Sequence, residues 1–341
     1  MGQETGGLFL VSKIKENILV TGSAGFIGFH LASELVKKNV NIINVDNLND
    51  YYEVSLKMER INHLKKLFKD KKKKFILKKI DISDKNEVLK IFKKYKFSKV
   101  IHLAAQAGVR YSFINPRVYA ETNLMGFFNI LEGCRIYKVK KLIFASSSSV
   151  YGESKKFPYK ENENLNTPLQ FYASTKLSNE IMSYSYSMLY NINVIGLRFF
   201  TVYGPWGRPD MAYFSFTKKI LSGKAIEVFN HGKHYRDFTF IDDIIKGVLL
   251  TIFKKSKKKY QILNIGYGKP TKLMDLIKYL EKFLGKKAKI KYLNKQKGDM
   301  DKTFSSIDSL KKLYGYKPKT NPATGLKKFV DWYLNFYRWK N

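Results

Sequence analysis

Three glycines spaced three residues apart follow a short apolar run near the start of the chain. The run Asn17–Thr21 has the composition of a buried strand, and Gly22, Gly25 and Gly28 precede a helical pattern. Glycine allows a sharp turn, a close approach of the backbone to a pyrophosphate, and close packing of helix on strand. The N–H groups that open the helix can bind phosphate. The turn therefore predicts a dinucleotide-binding unit, although its spacing differs from the common Gly-x-Gly-x-x-Gly.

Short apolar runs then alternate with helical patterns as far as about residue 205. This alternation predicts an α/β fold, a Rossmann-like doubly wound parallel sheet. Beyond it, runs at Ile226–Phe229 and Ala288–Tyr292 predict short strands of a smaller C-terminal α/β lobe. We predict a main domain over 16–204, completed by about 236–255, and a substrate-binding lobe over 205–235 and 256–335. The other predicted strands of the main sheet are Val40–Val45, Phe75–Lys79, Lys99–Leu103, Lys141–Ser146 and Asn193–Leu197.

The composition is that of a folded chain with a strongly basic surface. Its net charge is +35, but only 8 of the 63 basic residues are arginine, the residue best suited to reading base edges. We therefore expect scattered lysines that steer an anionic substrate rather than a nucleic-acid partner. No apolar run is long enough to span a membrane, and the segment Leu8–Val11 is too brief for a secretory signal. The single cysteine, Cys134, excludes an intrachain disulfide and fits a cytoplasmic location.

A carboxylate ends the second predicted strand. Asp46 follows the last glycine of the turn by 18 residues. A carboxylate at this position can accept hydrogen bonds from both hydroxyls of an adenosine ribose and would repel a 2′-phosphate. The sequence therefore favours NAD over NADP as the cofactor.

A tyrosine and a lysine with the spacing Tyr-x-x-x-Lys form the predicted catalytic pair. Tyr172 and Lys176 would lie on one face of a helix, where a nearby ammonium stabilises a phenolate and lowers its pKa. The tyrosine can then act as a base near neutral pH. The pair gains specificity from the upstream run Ala145–Gly152, whose four consecutive serines follow a predicted strand.

These motifs resemble those of the NAD-dependent epimerase/dehydratase family, the extended short-chain dehydrogenases. The resemblance is carried by Thr21–Gly28, Asp81 with Ile82, His102–Ala105 and Tyr172–Lys176. It implies that Ser147 binds the reacting sugar oxygen, with Ser148 and Ser149 as helpers, and that NAD is bound without a metal. The implied cofactor-binding residues are Gly22, Gly25, Phe26, Ile27, Gly28, Asp46, Asn47, Asp81, Ile82, Leu103, Ala104, Ala105, Gln106, Asn123, Tyr172 and Lys176.

The run Leu197–Met211 is the most distinctive in the chain and resembles UDP-glucuronate 4-epimerases. Arginine is rare here, and the planar fork of Arg208 can bind a sugar carboxylate in bidentate fashion. The resemblance implies that Thr201 assists Arg208, that Arg236 binds the diphosphate and that Asp299 binds the uridine ribose. The implied substrate-binding residues are Arg110, Ser147, Ser148, Ser149, Thr201, Arg208, Met211, Phe229, Arg236, Asp299 and Thr303, the last setting pocket width.

The serine run also bears on the reaction type. Relatives that dehydrate hexoses or decarboxylate UDP-glucuronate carry an acidic residue in this stretch, whereas every such position here is serine. The resemblance therefore implies C4 epimerisation, most simply of UDP-glucuronate to UDP-galacturonate through a transient 4-keto intermediate. An epimerase for UDP-glucose or UDP-N-acetylglucosamine is the alternative. A non-catalytic nucleotide- or nucleic-acid-binding relative is the hypothesis from another class, and the intact Ser147, Tyr172 and Lys176 argue against it.

The family resemblance has further implications and some exceptions. It implies a role in polysaccharide biosynthesis and a homodimer formed through helices near Phe113–Arg135 and Tyr172–Tyr190. The chain departs from the family pattern in its lysine content, in an N-terminal extension of about 15 residues, and in Ser305–Ser306, where a small residue and an acid are expected.

Overall fold

The computed structural model describes residues 16–339 apart from Lys257 and Lys297, so the N-terminal extension lies outside the described residues. The chain begins with strands and helices in strict alternation, and shorter strands follow in its second half. The strands are β1 Glu16–Thr21, β2 Val40–Asp46, β3 Ile76–Lys79, β4 Lys99–His102, β5 Lys141–Ser147, β6 Asn193–Phe199, β7 Thr201–Tyr203, β8 Ile226–Phe229, β9 Tyr235–Arg236, β10 Phe238–Phe240, β11 Tyr260–Ile265, β12 Thr271–Lys272, β13 Ile290–Leu293 and β14 Lys302–Thr303.

The helices connect these strands, and none within the described ranges is long and apolar enough to cross a membrane. A π-helical segment, Ala120–Gly126, joins α5 to α6, and a 3₁₀ turn, Ser148–Tyr151, follows β5. The α-helices are α1 Phe26–Leu35, α2 Val54–Asp70, α3 Lys85–Tyr95, α4 Tyr111–Ile114, α5 Pro116–Tyr119, α6 Phe127–Ile136, α7 Phe171–Tyr190, α8 Ala212–Leu221, α9 Ile241–Phe253, α10 Leu273–Leu284, α11 Asp308–Tyr314 and α12 Pro322–Phe336.

A seven-stranded parallel sheet forms the centre of the molecule, in the order β3-β2-β1-β4-β5-β6-β11. The predicted Rossmann-like α/β fold is confirmed. The strand order reverses between β1 and β4, which makes the carboxyl ends of these two strands the switch point where such sheets bind ligands.

The sheet is buried on both faces because its side chains alternate between two hydrophobic layers. Ile18 and Val20 of β1 pack in one layer, and Leu19 between them packs in the other. Helices α1, α2 and α9 cover the first layer, while α3, α6 and α7 cover the second. Strands buried on both faces read as continuous apolar runs, which is why they were visible in the sequence.

The division into two lobes stays a prediction, but one boundary differs from it. The predicted smaller lobe began again at residue 256, whereas β11, Tyr260–Ile265, pairs with β6 at the edge of the main sheet. Its polar residues Gln261 and Asn264 interrupt the apolar run and obscured the strand. Asn264 is buried all the same, because its amide donates to the carbonyl oxygens of Tyr159 and Ser306.

Candidate active site

A cleft crosses the carboxyl ends of β1, β2, β4 and β5. The predicted cofactor residues line this cleft except for Asp81 and Asn123. Of the predicted substrate residues, Ser147, Arg208 and Met211 line it. The others, which lie outside this lining, are Arg110, Ser148, Ser149, Thr201, Phe229, Arg236, Asp299 and Thr303.

The glycine-rich turn is packed too closely to admit side chains. A Cβ atom on Gly28 would lie 2.0 Å from the carbonyl oxygen of Gly22, and one on Gly22 would lie 2.7 Å from the backbone nitrogen of Ala104. Gly22 also has a φ of 72°, in the left-handed region that favours glycine. Gly25 caps α1 without a side-chain hydrogen bond, so the first N–H groups of that helix are left for phosphate oxygens.

Asp46 lies at the end of β2 beside this turn. One of its carboxylate oxygens accepts a hydrogen bond from the N–H of Ala24, and the other accepts one from the N–H of Leu48, both at 2.9 Å. These two bonds hold the carboxylate in the cleft and leave each oxygen a further lone pair for a ribose hydroxyl. Bare helix N–H groups beside a fixed carboxylate match the phosphates and the adenosine ribose of NAD, so the site fits that cofactor.

Asp81 is exposed and lies outside the lining of the cleft. Its carboxylate accepts hydrogen bonds from Asn47 Nδ2 at 2.8 Å and from the N–H of Ser83 at 2.9 Å. Partial burial opposes ionisation of Asp81, but these hydrogen bonds lower its pKa overall. Asp81 therefore fixes Asn47, while the buried Ile82 supplies the apolar lining.

The loop after β4 is held from two sides. The N–H groups of Leu103 and Ala104 donate to Thr21 Oγ1 at 3.2 and 3.1 Å. From behind, buried Asn123 accepts a hydrogen bond from the N–H of Gln106 at 2.8 Å and donates to its carbonyl oxygen at 3.1 Å. Asn123 therefore supports the loop without lining the cleft.

Helix α7 brings the predicted catalytic residues together. Ser147, Tyr172 and Lys176 line the same cleft, and Lys176 Nζ donates to the carbonyl oxygen of Ala145 at 2.9 Å. Burial raises the pKa of Tyr172, whereas the nearby Ser147 hydroxyl and the charge of Arg208 oppose that rise. Burial also lowers the pKa of Lys176 to about 8.

The serine run forms the turn that presents Ser147. Ser147 caps the 3₁₀ turn, accepting hydrogen bonds from the N–H of Ser149 at 3.2 Å and from its hydroxyl at 2.9 Å. The preceding Ser146 donates to Glu180, which forms a buried ion pair with Arg198 at 2.7 Å. The strand end is therefore fixed by a polar network below the cleft.

Arg208 already has a carboxylate partner. Its Nε and Nη2 atoms lie 3.0 and 2.7 Å from the two carboxylate oxygens of Asp210, a bidentate pair that sequence reasoning did not anticipate. Burial and the neighbouring Asp210 raise the pKa of Tyr51 to about 12. The Arg208 guanidinium thus holds an internal carboxylate along one edge.

Other residues predicted to bind the substrate form contacts outside the lining of the cleft. Arg236 Nη2 lies 2.7 Å from Asp299, and the Arg110 guanidinium lies 4.8 Å from the centre of the Phe229 ring. Thr303 in β14 is in register with Arg236 in β9. Ser305, one of the departures from the family pattern, donates to buried Asp237 at 2.7 Å.

Sequence reasoning missed Arg60, which lies on the buried face of α2. Its guanidinium contacts the glycine-rich turn and the loop that carries Arg208. The signal was available, because Leu56, Arg60 and Leu64 recur at helical spacing and place an arginine on an otherwise apolar face.

The parallel sheet, the glycine-rich turn and the serine–tyrosine–lysine group define an enzyme of the short-chain dehydrogenase type. Residues 18–266 match the family model of the NAD dependent epimerase/dehydratase family. The chain belongs to this family.

Individual relatives are similar to this protein over almost the whole length of the chain. A UDP-glucuronate 4-epimerase of Thermodesulfobacterium geofontis is 45% identical over 92% of this chain and 95% of its own length. The crystal structure of the UDP-glucuronic acid 4-epimerase of Bacillus cereus, in complex with UDP-glucuronic acid and NAD, is 34% identical with a TM-score of 0.88, covering 94% of this chain and 100% of its own. A UDP-glucose 4-epimerase of Thermotoga maritima with UDP-glucose is 32% identical with a TM-score of 0.85, covering 94% and 99%.

Proposed function

We propose that this enzyme interconverts UDP-glucuronate and UDP-galacturonate by epimerisation at C4 through a transient 4-keto sugar. The observation that carries the proposal is the position of Arg208, a carboxylate-binding group in the same cleft as Ser147, Tyr172 and Lys176. The relatives named as UDP-glucuronate 4-epimerases support the same substrate.

The cofactor is held mainly by backbone. The open N–H groups at the start of α1 bind the pyrophosphate, and Asp46 binds the adenosine ribose. Bound NAD supplies the acceptor and the donor of the hydride at C4. Lys176, fixed by the carbonyl of Ala145, adds a positive charge beside the nicotinamide end of the cleft.

Tyr172 moves the proton in this mechanism. Its phenolate oxygen removes the proton of the sugar 4-hydroxyl and later returns it, while Ser147 binds the same sugar oxygen. Water is excluded because Tyr172 and Lys176 lie deep in the cleft, and Lys176 is only 2% exposed. The positive charges of Lys176 and Arg208 favour the phenolate over the phenol.

Arg208 and Thr201 bind the sugar carboxylate in the proposed complex. A 4-keto glucuronate is a β-keto acid and loses CO₂ when the carboxylate can rotate into line with the carbonyl. A bidentate grip prevents that rotation, so Arg208 serves both recognition and protection of the intermediate. Met211 contacts the Arg208 guanidinium at 3.7 Å and lines the same wall.

The second group of residues binds the nucleotide portion. Arg236 binds the diphosphate and Asp299 binds the uridine ribose. Phe229 and Arg110 pack against the uracil base. Arg236 and Asp299 lie 2.7 Å apart, so one diphosphate nucleoside can engage both. Thr303, in register with Arg236, sets the width of the pocket.

We also propose that two copies associate through helices α6 and α7 and the π-helical segment. Met125, Phe128, Ile181, Tyr184 and Leu189 are exposed on these elements, with Leu189 as much as 73% exposed. Contiguous apolar groups of this kind mark interfaces. Light scattering after gel filtration should give a dimer, and Ile181→Lys should shift it toward monomer. The cytoplasmic location and the role in polysaccharide biosynthesis stay predictions from the sequence.

The deciding experiment is incubation of purified protein with UDP-glucuronate, without added NAD, followed by chromatography with mass detection. We expect an isomer of unchanged mass, which would report the reaction, the acidic substrate and a retained cofactor together. Tyr172→Phe should abolish most of this product, by about 10²–10⁴-fold. No isomer even with added NAD, while UDP-glucose or UDP-N-acetylglucosamine reacts, would overturn the proposed substrate. A product lighter by CO₂ would overturn the proposed reaction.

Arg208→Met tests the carboxylate assignment within that assay. Loss of a charge-assisted bidentate contact should raise the KM for UDP-glucuronate by about 10–100-fold. The variant should also release more decarboxylated sugar per turnover. An unchanged KM together with an unchanged by-product fraction would show that Arg208 does not bind the carboxylate.

A further inference from the structure

Arg60 is a completely buried arginine whose hydrogen-bond acceptors are all uncharged. Its Nη1 atom donates to the carbonyl oxygen of Ala24 at 2.8 Å and to the Tyr52 hydroxyl at 2.7 Å. Its Nη2 atom donates to the carbonyl oxygens of Trp206 at 2.6 Å and Gly207 at 3.1 Å. One guanidinium therefore joins the glycine-rich turn to the two residues that precede Arg208.

The loop that Arg60 holds has a conformation that needs support. Trp206 has a φ of 60°, in the left-handed region that a bulky side chain rarely adopts. The preceding carbonyl, that of Pro205, lies 2.9 Å from His30 Nε2, and burial lowers the pKa of His30 to about 4, so a neutral ring donates this bond. Three consecutive carbonyls of the loop are thus bound by helices α1 and α2.

Burying a charged group without an ionic partner is costly, and an apolar residue would fill this helix face more cheaply. The position of Arg60 therefore suggests a task that only a forked, multiply donating cation performs. The loop after Trp206 and Gly207 leads directly into Arg208, whose guanidinium must be placed within a few tenths of an ångström to bind a carboxylate in bidentate fashion.

We propose that Arg60 is a positioning residue for Arg208 and determines selectivity for the acidic sugar. It ties the backbone of the loop before Arg208 to the backbone of the cofactor turn, so the carboxylate-binding group is aligned with the bound cofactor. The inference rests on the proposed function, because only a sugar with a carboxylate depends on the position of Arg208. A neutral UDP-sugar uses the remaining contacts and is insensitive to Arg60.

The test measures binding rather than turnover, so that it is independent of which sugar the enzyme converts. Dissociation constants for UDP-glucuronate and UDP-glucose are determined by isothermal titration calorimetry on the wild type, Arg60→Gln and the control Lys65→Gln. Lys65 is an exposed residue of the same helix, so its substitution removes the same charge without touching the loop. Thermal unfolding and the amount of co-purified NAD are recorded for each protein.

We expect Arg60→Gln to raise the dissociation constant of UDP-glucuronate by about tenfold, as for the loss of one charge-assisted hydrogen bond. The dissociation constant of UDP-glucose should rise by less than about twofold. Lys65→Gln should leave both constants unchanged. Equal weakening of the two sugars, or no weakening of either, would overturn the proposal. If Arg60→Gln does not fold, Arg60→Lys is used instead, because lysine keeps the charge but cannot bridge both loops. The changes in the dissociation constants of the two sugars are then compared in the same way. Failure of the proposed function appears separately, as absent turnover of UDP-glucuronate by the wild type.

Discussion

The cofactor half and the substrate half of the site are formed by different chemical groups, one by backbone and the other by side chains. The cofactor half is shaped by backbone, with Gly28 lying against the Gly22 carbonyl and open N–H groups at the start of α1. The proposed substrate half is shaped by charged side chains. Arg208, which lines the cleft, already binds Asp210, and Arg236, which lies outside that lining, already binds Asp299.

This difference separates two ways of binding an anion. Open backbone N–H groups can bind an anion without first breaking an ion pair. They therefore suit a cofactor that stays bound through every turnover. Side-chain ion pairs can rearrange when a ligand enters and leaves, which suits a substrate. We therefore expect an added atom in the cofactor half to abolish function, and changes in the substrate half to have graded effects.

The largest effect is expected for Gly28→Ala in the cofactor half. The new Cβ would lie 2.0 Å from the Gly22 carbonyl oxygen, so the helix and the turn must separate. We expect the free energy of unfolding to fall by about 1–3 kcal/mol, as for overpacking, and co-purified NAD and epimerase activity to be lost. Denaturant unfolding and absorbance of cofactor released by acid measure these changes.

The matched control is Gly223→Asn. Gly223 also has a positive φ, 67°, but a Cβ there would meet nothing within 4 Å, and asparagine tolerates this conformation. NAD content should stay at the wild-type level. Retention of full activity by Gly28→Ala would refute the idea that the cofactor half depends on backbone contact.

An intermediate effect is expected for Lys176→Met, where the two halves meet. Lys176, with a pKa lowered to about 8 by burial, is protonated below that pH and then favours the Tyr172 phenolate. Without it, the pKa of Tyr172 rises further, so the pH of maximal kcat/KM should move to a higher value. The kcat at neutral pH should fall by about 10²-fold. The exposed Lys66→Met is the control; an unshifted profile would assign the effect to Arg208 alone.

What the sequence could predict follows the same division. The glycines of the cofactor turn can be recognised in the sequence from their fixed spacing, and Tyr172 and Lys176 can be recognised because they are one helical turn apart. Both patterns depend only on residues that are close together in the chain. Strands β1, β2, β4, β5 and β6 were predicted for the same reason, as apolar runs buried on both faces, whereas the edge strand β3 was predicted although none of its residues is fully buried.

The unpredicted features depend on contacts between distant segments. Arg60 contacts a loop almost 150 residues later, and β11 is recognised as a strand only by pairing with β6. The pair between Arg208 and Asp210 is close in sequence, yet a lone aspartate beside an arginine is common on protein surfaces. Only the position of Arg208 in the cleft gives the pair significance.

The smallest effect is expected for Asp210→Asn, and its sign tests how the substrate half works. Asp210 binds one edge of the Arg208 guanidinium, and its carboxylate repels an incoming sugar carboxylate. Asparagine can still accept one hydrogen bond from Arg208 but carries no charge. We therefore expect the KM for UDP-glucuronate to fall about two- to fivefold, the range of a partly exposed ion pair, with kcat little changed.

Ionic strength separates this explanation from a change in shape. Salt screens the repulsion by Asp210, so the KM advantage of Asp210→Asn should shrink as salt is added, while the control Asp331→Asn, in an exposed pair with Lys327, should show none. A KM that rises instead would mean that Asp210 chiefly holds Arg208 in place. The substrate half would then be as rigid as the cofactor half, and the contrast between them would lie in composition and not in the way each binds its ligand.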